Sequence, residues 1–131
     1  MKLAMIVTKL TGNEESDRSR AAEYCRFVAH RGFLPISPYL NFHNIVADKS
    51  GGIVEHLLTA RLAEQADEIW VFGSEDDDEK QKRLQEACQE YGSKAKYFDA
   101  RAIGEELLLC TMFPEKMVEN LKEMEEYRNG Q

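Results

Sequence analysis

Short apolar segments alternate along the chain with segments of helix length, and this alternation restricts the fold more than any other feature. The run Ile69-Trp70-Val71-Phe72 ends abruptly at Gly73 and is the clearest strand. Leu3 to Val7 is a similar run, followed closely by the turn-prone residues Thr11-Gly12-Asn13. Continuous apolar runs of this length are typical of strands in a parallel sheet that helices cover on both faces.

The same reasoning predicts two further strands, at Phe33 to Ile36 and at Ala95 to Phe98. Apolar residues at helical spacing predict helices over Ser16 to Arg31, Ile53 to Gln65, Lys80 to Tyr91, Leu107 to Met112 and Pro114 to Tyr127. The stretch between Ser37 and Gly52 has no clear period, and we expect a long loop there. Loops of that length in compact domains are often functional.

Strands that alternate with helices in this way imply right-handed βαβ units. We therefore expect an α/β protein with a Rossmann-like (flavodoxin-like) three-layer α/β/α fold and a parallel sheet of about four or five strands. A length of 131 residues suits a single domain, in which residues 101–131 form a helical C-terminal extension. Ligands of open parallel sheets bind at the carboxyl ends of the strands. Three loops should therefore converge on one cleft: Thr8 to Gly12, Ser37 to Tyr39 and Gly73 to Asp76.

The charge balance excludes several classes of partner. With 17 basic and 24 acidic residues, the net charge is −7. Such a chain repels nucleic acid polymers and anionic lipid, and no basic patch offsets the repulsion. The apolar runs are also too short to span a bilayer, so we expect neither a nucleic acid nor a membrane partner. Three cysteines without a CxxC spacing suggest no disulfide framework and no zinc site, which favours a reducing, cytoplasmic location.

The first loop offers candidate ligand-binding residues in Thr8, Lys9, Thr11 and Gly12. Hydroxyls, a cation and a glycine just before a helix suit a sugar hydroxyl or a phosphate. The alternative is an ordinary turn between a strand and a helix. Since neither GxGxxG nor the Walker spacing occurs, the sequence supports no standard nucleoside triphosphate chemistry, and we expect no cofactor.

The other two loops add Ser37, Pro38 and Tyr39, together with Gly73 and Ser74. Tyr39 could stack on a base or a sugar, whereas the alternative is that Tyr39 and Phe42 cover the edge of the sheet. The histidines His43 and His56 are too isolated in the sequence to form a ligand set with each other. For these two we expect surface or core roles.

Five consecutive acids, Glu75 to Glu79, follow the clearest strand. They could coordinate a divalent cation, but we expect a solvated loop whose later acids complement the dipole of the next helix, and no metal site. An acidic rim beside the cleft would disfavour a polyphosphate unless Lys9, Arg83 or a bound cation offsets it. An uncharged nucleoside or a cation-bridged nucleotide fits that expectation better.

Residues Met1 to Phe98 resemble the nucleoside 2-deoxyribosyltransferase-like superfamily, and most closely its small DUF4406/DUF7768-type members. The resemblance rests on the order of five segments: Leu3 to Val7, Ala22 to Val28, Gly32 to Leu40, Ala66-Asp67-Glu68-Ile69-Trp70-Val71-Phe72-Gly73 and Ala95 to Phe98. It implies a Rossmann-like sheet, a cleft for a nucleoside or nucleotide, and a homodimer or higher homo-oligomer whose subunits complete each other's sites.

The resemblance also implies where catalytic carboxylates would stand. In the active transferases, a glutamate in the helix after the glycine-ended strand attacks the anomeric carbon, and a carboxylate on the preceding helix assists. Here the position of the attacking glutamate falls on Leu84, or on the adjacent Arg83 if the register shifts by one. The position of the assisting carboxylate falls near Thr59. The remaining candidates for a catalytic acid are Glu79, Glu75 and Asp76.

Three hypotheses follow. The first is a protein that binds a nucleoside or nucleotide and lacks the usual catalytic carboxylates. The second is an N-glycosidase or deoxyribosyltransferase that acts through a non-standard Glu or Asp. The third is a non-enzymatic interaction protein whose C-terminal helix, Glu115 to Tyr127, packs on a partner through adaptable methionines.

Overall fold

The computed structural model describes residues 1–43, 52–74 and 76–115, together with residues 119, 122, 123 and 125. Strands and helices alternate through this part of the chain, as the sequence predicts. In chain order the elements are β1 (Leu3–Val7), α1 (Glu14–His30), β2 (Leu34–Ile36), α2 (Pro38–Phe42), α3 (Ile53–Gln65), β3 (Glu68–Gly73), α4 (Asp77–Tyr91), β4 (Ala95–Asp99) and α5 (Gly104–Met112).

The four strands of the described chain form one parallel sheet in the order β2-β1-β3-β4. Met5 in the central strand β1 pairs with Ile36 on one side and with Ile69 on the other. The predicted three-layer α/β/α fold is confirmed. Its described sheet has four strands, where four or five were expected. The strand order reverses at β1, because β2 lies on one side of it and β3 on the other. In folds of this type that reversal marks the usual ligand site.

Successive side chains of a strand point to opposite faces of the sheet, and the two faces here differ in composition. One face is aromatic and packs against α1 and α5: its buried residues include Ile6, Phe27, Trp70, Phe72 and Leu107. The other face is aliphatic and packs against α3 and α4 through Met5, Ile69, Val71, Ala63 and Ala87. Helices therefore cover both faces of the sheet.

The predicted loop after β2 begins with a short helix, and that part of the prediction is wrong. The Ser37 side chain caps α2 by accepting a hydrogen bond from the backbone N–H of Leu40 at 3.2 Å. Pro38 occupies the first helical position, where a missing N–H costs nothing. A helix of five residues is too short to reveal a helical period. Residues 44–51, the rest of the predicted loop, lie outside the described residues.

Two helices begin earlier than the hydrophobic period indicates, because side chains cap them. The Oδ1 atom of Asn13 accepts the N–H of Ser16 at 3.0 Å, so that α1 begins at Glu14. The carboxylate of Asp76 accepts the N–H of Glu79 at 3.2 Å and starts α4 in the same way. Capping of this kind satisfies N–H groups that lack a partner within the helix.

The C-terminal region supplies α5, whose residue Leu107 is buried against the aromatic face. Across the same interface Arg31, the residue after α1, forms an ion pair with Glu106 at 2.7 Å. Most of the predicted helix from Pro114 to Tyr127 lies outside the described residues. None of the helices in the described segments is both long enough and apolar enough to cross a membrane.

Candidate functional site

A cleft of about 600 Å³ opens at the carboxyl ends of β1 and β3. Its walls come from the loop between β1 and α1, from the middle of α1, from the end of β3, from the segment after β4 and from α5. The lining residues are Lys9, Leu10, Thr11, Arg20, Glu23, Tyr24, Phe72, Gly73, Ser74, Ala100, Gly104 and Leu107. This volume lies within the usual range for small-molecule sites. We refer to this space below as the cleft.

Two of the three loops that the sequence predicts to converge do meet at the cleft. Lys9 and Thr11 line it from the first loop, and Gly73 and Ser74 line it from the end of β3. The two loops meet because β1 and β3 are neighbours in the sheet. Thr8 and Gly12 belong to the first loop but are not among the lining residues.

The third loop contributes no residue to the lining of the cleft. Its strand, β2, lies at the edge of the sheet on the far side of β1 from β3. Ser37 is buried and caps α2 together with Pro38, which is also buried. Their predicted role in binding therefore has no counterpart in this cleft, whereas their role in starting α2 is visible in the structure.

Tyr39 is also buried, and it links α2 to the start of α1. Its hydroxyl lies 3.5 Å from the carbonyl oxygen of Glu14, and its ring stacks on His43 with centroids 4.6 Å apart. Burial raises the pKa of Tyr39, and the negative charges of Asp17 and Glu14 raise it further. The His43 imidazole in turn lies 3.4 Å from Glu14 and 3.6 Å from Glu55. These contacts place Tyr39 between α2 and the start of α1, and it is not among the lining residues of the cleft.

A buried carboxylate, which the sequence analysis missed, holds the first loop. Asp17 of α1 accepts the N–H of Thr11 at 3.0 Å, the hydroxyl of Thr11 at 2.8 Å and the N–H of Gly12 at 3.2 Å. The pKa of Asp17 is lowered, chiefly by the backbone N–H of Thr11, although burial opposes the shift. Gly12 adopts a φ of 90°, which favours glycine. Asp17 therefore fixes the conformation of this loop, and the N–H groups of Thr11 and Gly12 are not available to a ligand.

Helix α1 contributes three further lining residues that the sequence analysis missed, namely Arg20, Glu23 and Tyr24. Arg20 and Glu23 also line a shallower hollow beside the cleft, together with Asn13, Glu15, Ser16 and Ser19. One signal could have identified them. Arg20 and Glu23 lie beside the buried residues Ala21 and Tyr24 of α1. In a βα unit the helix starts from the carboxyl end of the preceding strand, so residues beside its buried face can reach that end of the sheet.

Apolar side chains form the floor of the cleft, which we define as Tyr24, Phe72 and Leu107. The rings of Tyr24 and Phe72 are stacked, with centroids 4.2 Å apart and an angle of 12° between their planes. Arg83 of α4 donates a hydrogen bond to the carbonyl oxygen of Phe72 at 2.8 Å and so helps to fix the end of β3. The cleft thus combines a polar wall with an apolar floor.

The comparisons with known proteins give one match. The model of a domain of unknown function, DUF7768, matches residues 2–98. The chain belongs to the DUF7768 family. This membership confirms the DUF7768-type part of the resemblance noted in the sequence. No curated protein and no solved structure matches the chain. The DUF7768 match includes both loops of the cleft, whereas Ala100, Gly104 and Leu107 lie beyond it.

Two candidate catalytic acids of this DUF7768 chain, Asp76 and Glu79, are described by the structure and are not among the lining residues of the cleft. Asp76 caps α4, and Glu79 is exposed in the first turn of that helix. Glu75 lies outside the described residues. At the positions to which the resemblance assigns carboxylates, Leu84 is half-buried and the Thr59 hydroxyl donates to the carbonyl oxygen of Glu55 at 2.8 Å. Among the lining residues that the structure describes, Glu23 supplies the one carboxylate.

No set of three His, Cys, Asp or Glu side chains in the described part of the chain is placed to hold a metal ion. The lining of the cleft therefore offers a ligand five kinds of contact: two cations, one carboxylate, hydroxyls, backbone groups at the end of β3 and an apolar floor. Hydroxyls and a carboxylate suit the hydroxyls of a sugar, and an apolar floor suits a planar ring.

Proposed function

We propose that this protein binds a nucleoside or nucleotide in the cleft and does not transform it. The observation that carries the proposal is the pairing of a polar wall with an apolar floor at the reversal of the strand order. A nucleoside has the same two halves, since its sugar is polar and its base is flat and largely apolar. The resemblance to the nucleoside 2-deoxyribosyltransferase-like superfamily supports the same class of ligand.

The carboxylates argue for binding rather than catalysis. A nucleophile must lie within reach of the anomeric carbon, and a partner acid must protonate the departing base. The positions that the resemblance assigns to those groups hold Leu84 and Thr59, neither of which can ionise as a carboxylate. Asp76 is engaged in capping α4.

Ligand-dependent stabilisation of the whole chain tests the proposal. A ligand at 100 times its dissociation constant should add about 2.7 kcal/mol to the free energy of unfolding. We expect at least one member of a nucleoside and nucleotide panel to raise the melting temperature. Ser74→Trp should abolish the shift, because Ser74 is exposed and lines the cleft. Ser93→Trp is the matched control: Ser93 is also exposed, but it precedes β4 at the opposite end of the sheet. A panel that leaves the wild-type melting temperature unchanged would refute the proposal.

One observation favours a second candidate function, cleavage of an N-glycosidic bond through Glu23. The Glu23 side chain is half-buried and lies two and a half turns into α1. It is the one carboxylate among the described residues that line the cleft. In that reaction Glu23 would form an ester bond to the anomeric carbon as the bond to the base breaks. The base would take a proton from solvent as it leaves, and water would then hydrolyse the ester, which releases the sugar and returns Glu23 to its carboxylate form.

Chromatography of free base after incubation with a nucleoside panel separates the two candidates. Binding without turnover predicts no release of base. Release that disappears in Glu23→Gln and persists in Glu79→Gln would instead establish the glycosidase.

We also propose that the chain forms a homo-oligomer. Two rows of exposed apolar residues on α3 support it, with Ile53 above Leu57 and Val54 above Leu58. Residues four apart lie on the same side of a helix, so each row forms a continuous strip. Light scattering should report a dimer or larger species for the wild type and a monomer for Leu57→Glu. A monomeric wild type would refute the proposal.

A further inference from the structure

The charges that line the cleft differ in sign from the charge of the whole chain. Although the protein carries −7, the described residues that line the cleft include two cations, Lys9 and Arg20, and one carboxylate, Glu23. Within the described residues, neither cation lies in an ion pair with a carboxylate. Of the acidic run after β3, Asp76 caps α4, whereas Asp78 and Glu79 are exposed and do not line the cleft.

The two cations come from separate elements, Lys9 from the first loop and Arg20 from α1. Arg20 lines both the cleft and the neighbouring hollow, which also contains the hydroxyls of Ser16 and Ser19 and the carboxylates of Glu15 and Glu23. A guanidinium with hydroxyls nearby matches the donors that proteins use for phosphate oxygens. The apolar floor of Tyr24, Phe72 and Leu107 lies in the same cleft, where a ring would contact the small exposed part of these buried side chains.

The backbone of the first loop restricts how much phosphate the site can hold. Sites for nucleoside triphosphates surround the phosphates with successive backbone N–H groups. Here the N–H groups of Thr11 and Gly12 donate to Asp17. The N–H groups of Thr11 and Gly12 are therefore not available to a phosphate. Among the described lining residues the two cations are opposed by Glu23, and Arg20 also lowers the pKa of Asp17, so the positive charge suits one phosphate group rather than three.

From this arrangement we infer that the preferred ligand is a nucleoside monophosphate, whose phosphate contacts Lys9 and Arg20. The inference rests on the proposed function and narrows it. The sequence alone favoured an uncharged nucleoside or a cation-bridged nucleotide because of the acidic run after β3. Of that run, the described acids Asp76, Asp78 and Glu79 do not line the cleft, so the two lining cations lead us to a monophosphate instead.

Calorimetric titration of the whole protein tests the inference, with the four common ribonucleosides, their 5′-monophosphates and inorganic phosphate as probes. We expect one monophosphate to bind about tenfold or more tightly than its nucleoside at low salt, with the difference shrinking as salt is added. Arg20→Gln should weaken binding of the monophosphate about tenfold and leave the nucleoside within about twofold. Lys9→Gln should act in the same direction. Arg18→Gln is the matched control, because Arg18 is an exposed arginine of α1 that lines neither hollow.

The outcomes separate this inference from the proposed function. Equal affinity for a nucleoside and its monophosphate, or an Arg18→Gln effect as large as that of Arg20→Gln, would overturn the inference and leave the proposed function standing. If none of the nucleosides and monophosphates binds, both fail. Binding of inorganic phosphate alone would also overturn both, since the site would then be an anion site without a place for a nucleoside.

Discussion

The carboxylate of Asp17 accepts both the backbone N–H and the hydroxyl of Thr11, at 3.0 Å and 2.8 Å. The two residues are six positions apart and belong to different parts of the βα unit, one to the loop and the other to the helix. Their contact fixes the shape of the loop at the mouth of the cleft. It also makes the geometry of the candidate binding site depend on the protonation state of Asp17.

The first prediction concerns Asp17→Asn. The amide of Asn would place a donor against the N–H groups of Thr11 and Gly12, so we expect the melting temperature at pH 7 to fall by roughly 5 °C. The pKa of Asp17 is lower in the folded protein than its ordinary value of 3.8. Its stabilising effect is therefore complete above that value and is lost as the pH falls through the folded pKa. Melting curves from pH 7 to pH 3 should show the gap between wild type and variant closing below about pH 4. Asp78→Asn, on the exposed part of α4, is the control and should behave like the wild type.

The second prediction concerns Phe72→Ala. Phe72 is 1% exposed and packs against Tyr24, Phe27 and Phe98, so its truncation leaves a large cavity. We expect a loss of about 3–5 kcal/mol in the free energy of unfolding, measured by urea titration. Leu108→Ala is the comparison, because Leu108 is 58% exposed on α5 and should change the free energy by less than about 0.5 kcal/mol. Similar losses in the two variants would contradict the packing described here.

The third prediction concerns Lys94, which lies just before β4 and reaches the end of α3. Its ammonium donates hydrogen bonds to the carbonyl oxygens of Ala63 and Ala66, the latter at 2.9 Å. A cation at the C-terminus of a helix satisfies carbonyl groups and complements the helix dipole. Lys94→Met should therefore cost about 1–2 kcal/mol in urea denaturation. We expect no comparable loss from Lys82→Met on the exposed face of α4, and an unchanged Lys94→Met protein would show that the contact contributes nothing.

The fourth prediction concerns the reactivity of Cys25. Burial raises the pKa of this thiol from 9.0 to about 11, against a smaller opposing effect of Arg26. Because the thiolate is the reactive form, alkylation of Cys25 at pH 8 should be about 100-fold slower in the folded protein than in urea. Mass spectrometry of iodoacetamide-treated protein measures the rate at each cysteine. Rapid labelling of Cys25 in the folded state would contradict the predicted protection.

The sequence predicts the strands well because each is a short apolar run with a clear end. The pattern from Ile69 to Phe72 lies within the observed β3, and the predicted bounds of α3, Ile53 and Gln65, are those observed. The starts of α1 and α4 were misplaced by two and three residues, because Asn13 and Asp76 act through capping bonds rather than through an apolar period. Helix α2 was missed because five residues hold little more than one turn.

The candidate site was predictable in part and for the same reason. Lys9, Thr11, Gly73 and Ser74 follow strands whose ends the sequence reveals. Arg20 and Glu23 were missed because they lie inside a helix, where the period identifies the buried face but not the element that faces it. The order of the strands along the chain does not reveal that β2 lies at the edge of the sheet. Because it lies there, Ser37, Pro38 and Tyr39 do not line the cleft.

The floor of the cleft belongs at the same time to the hydrophobic core, since Tyr24, Phe72 and Leu107 occur in both. Any substitution there changes folding stability together with the shape offered to a ligand. Lys9 and Ser74 are exposed residues of the cleft outside that core. If members of this family bind different ligands, most of the accepted substitutions should therefore occur at these two loop positions, where a new side chain does not change the packing of the core.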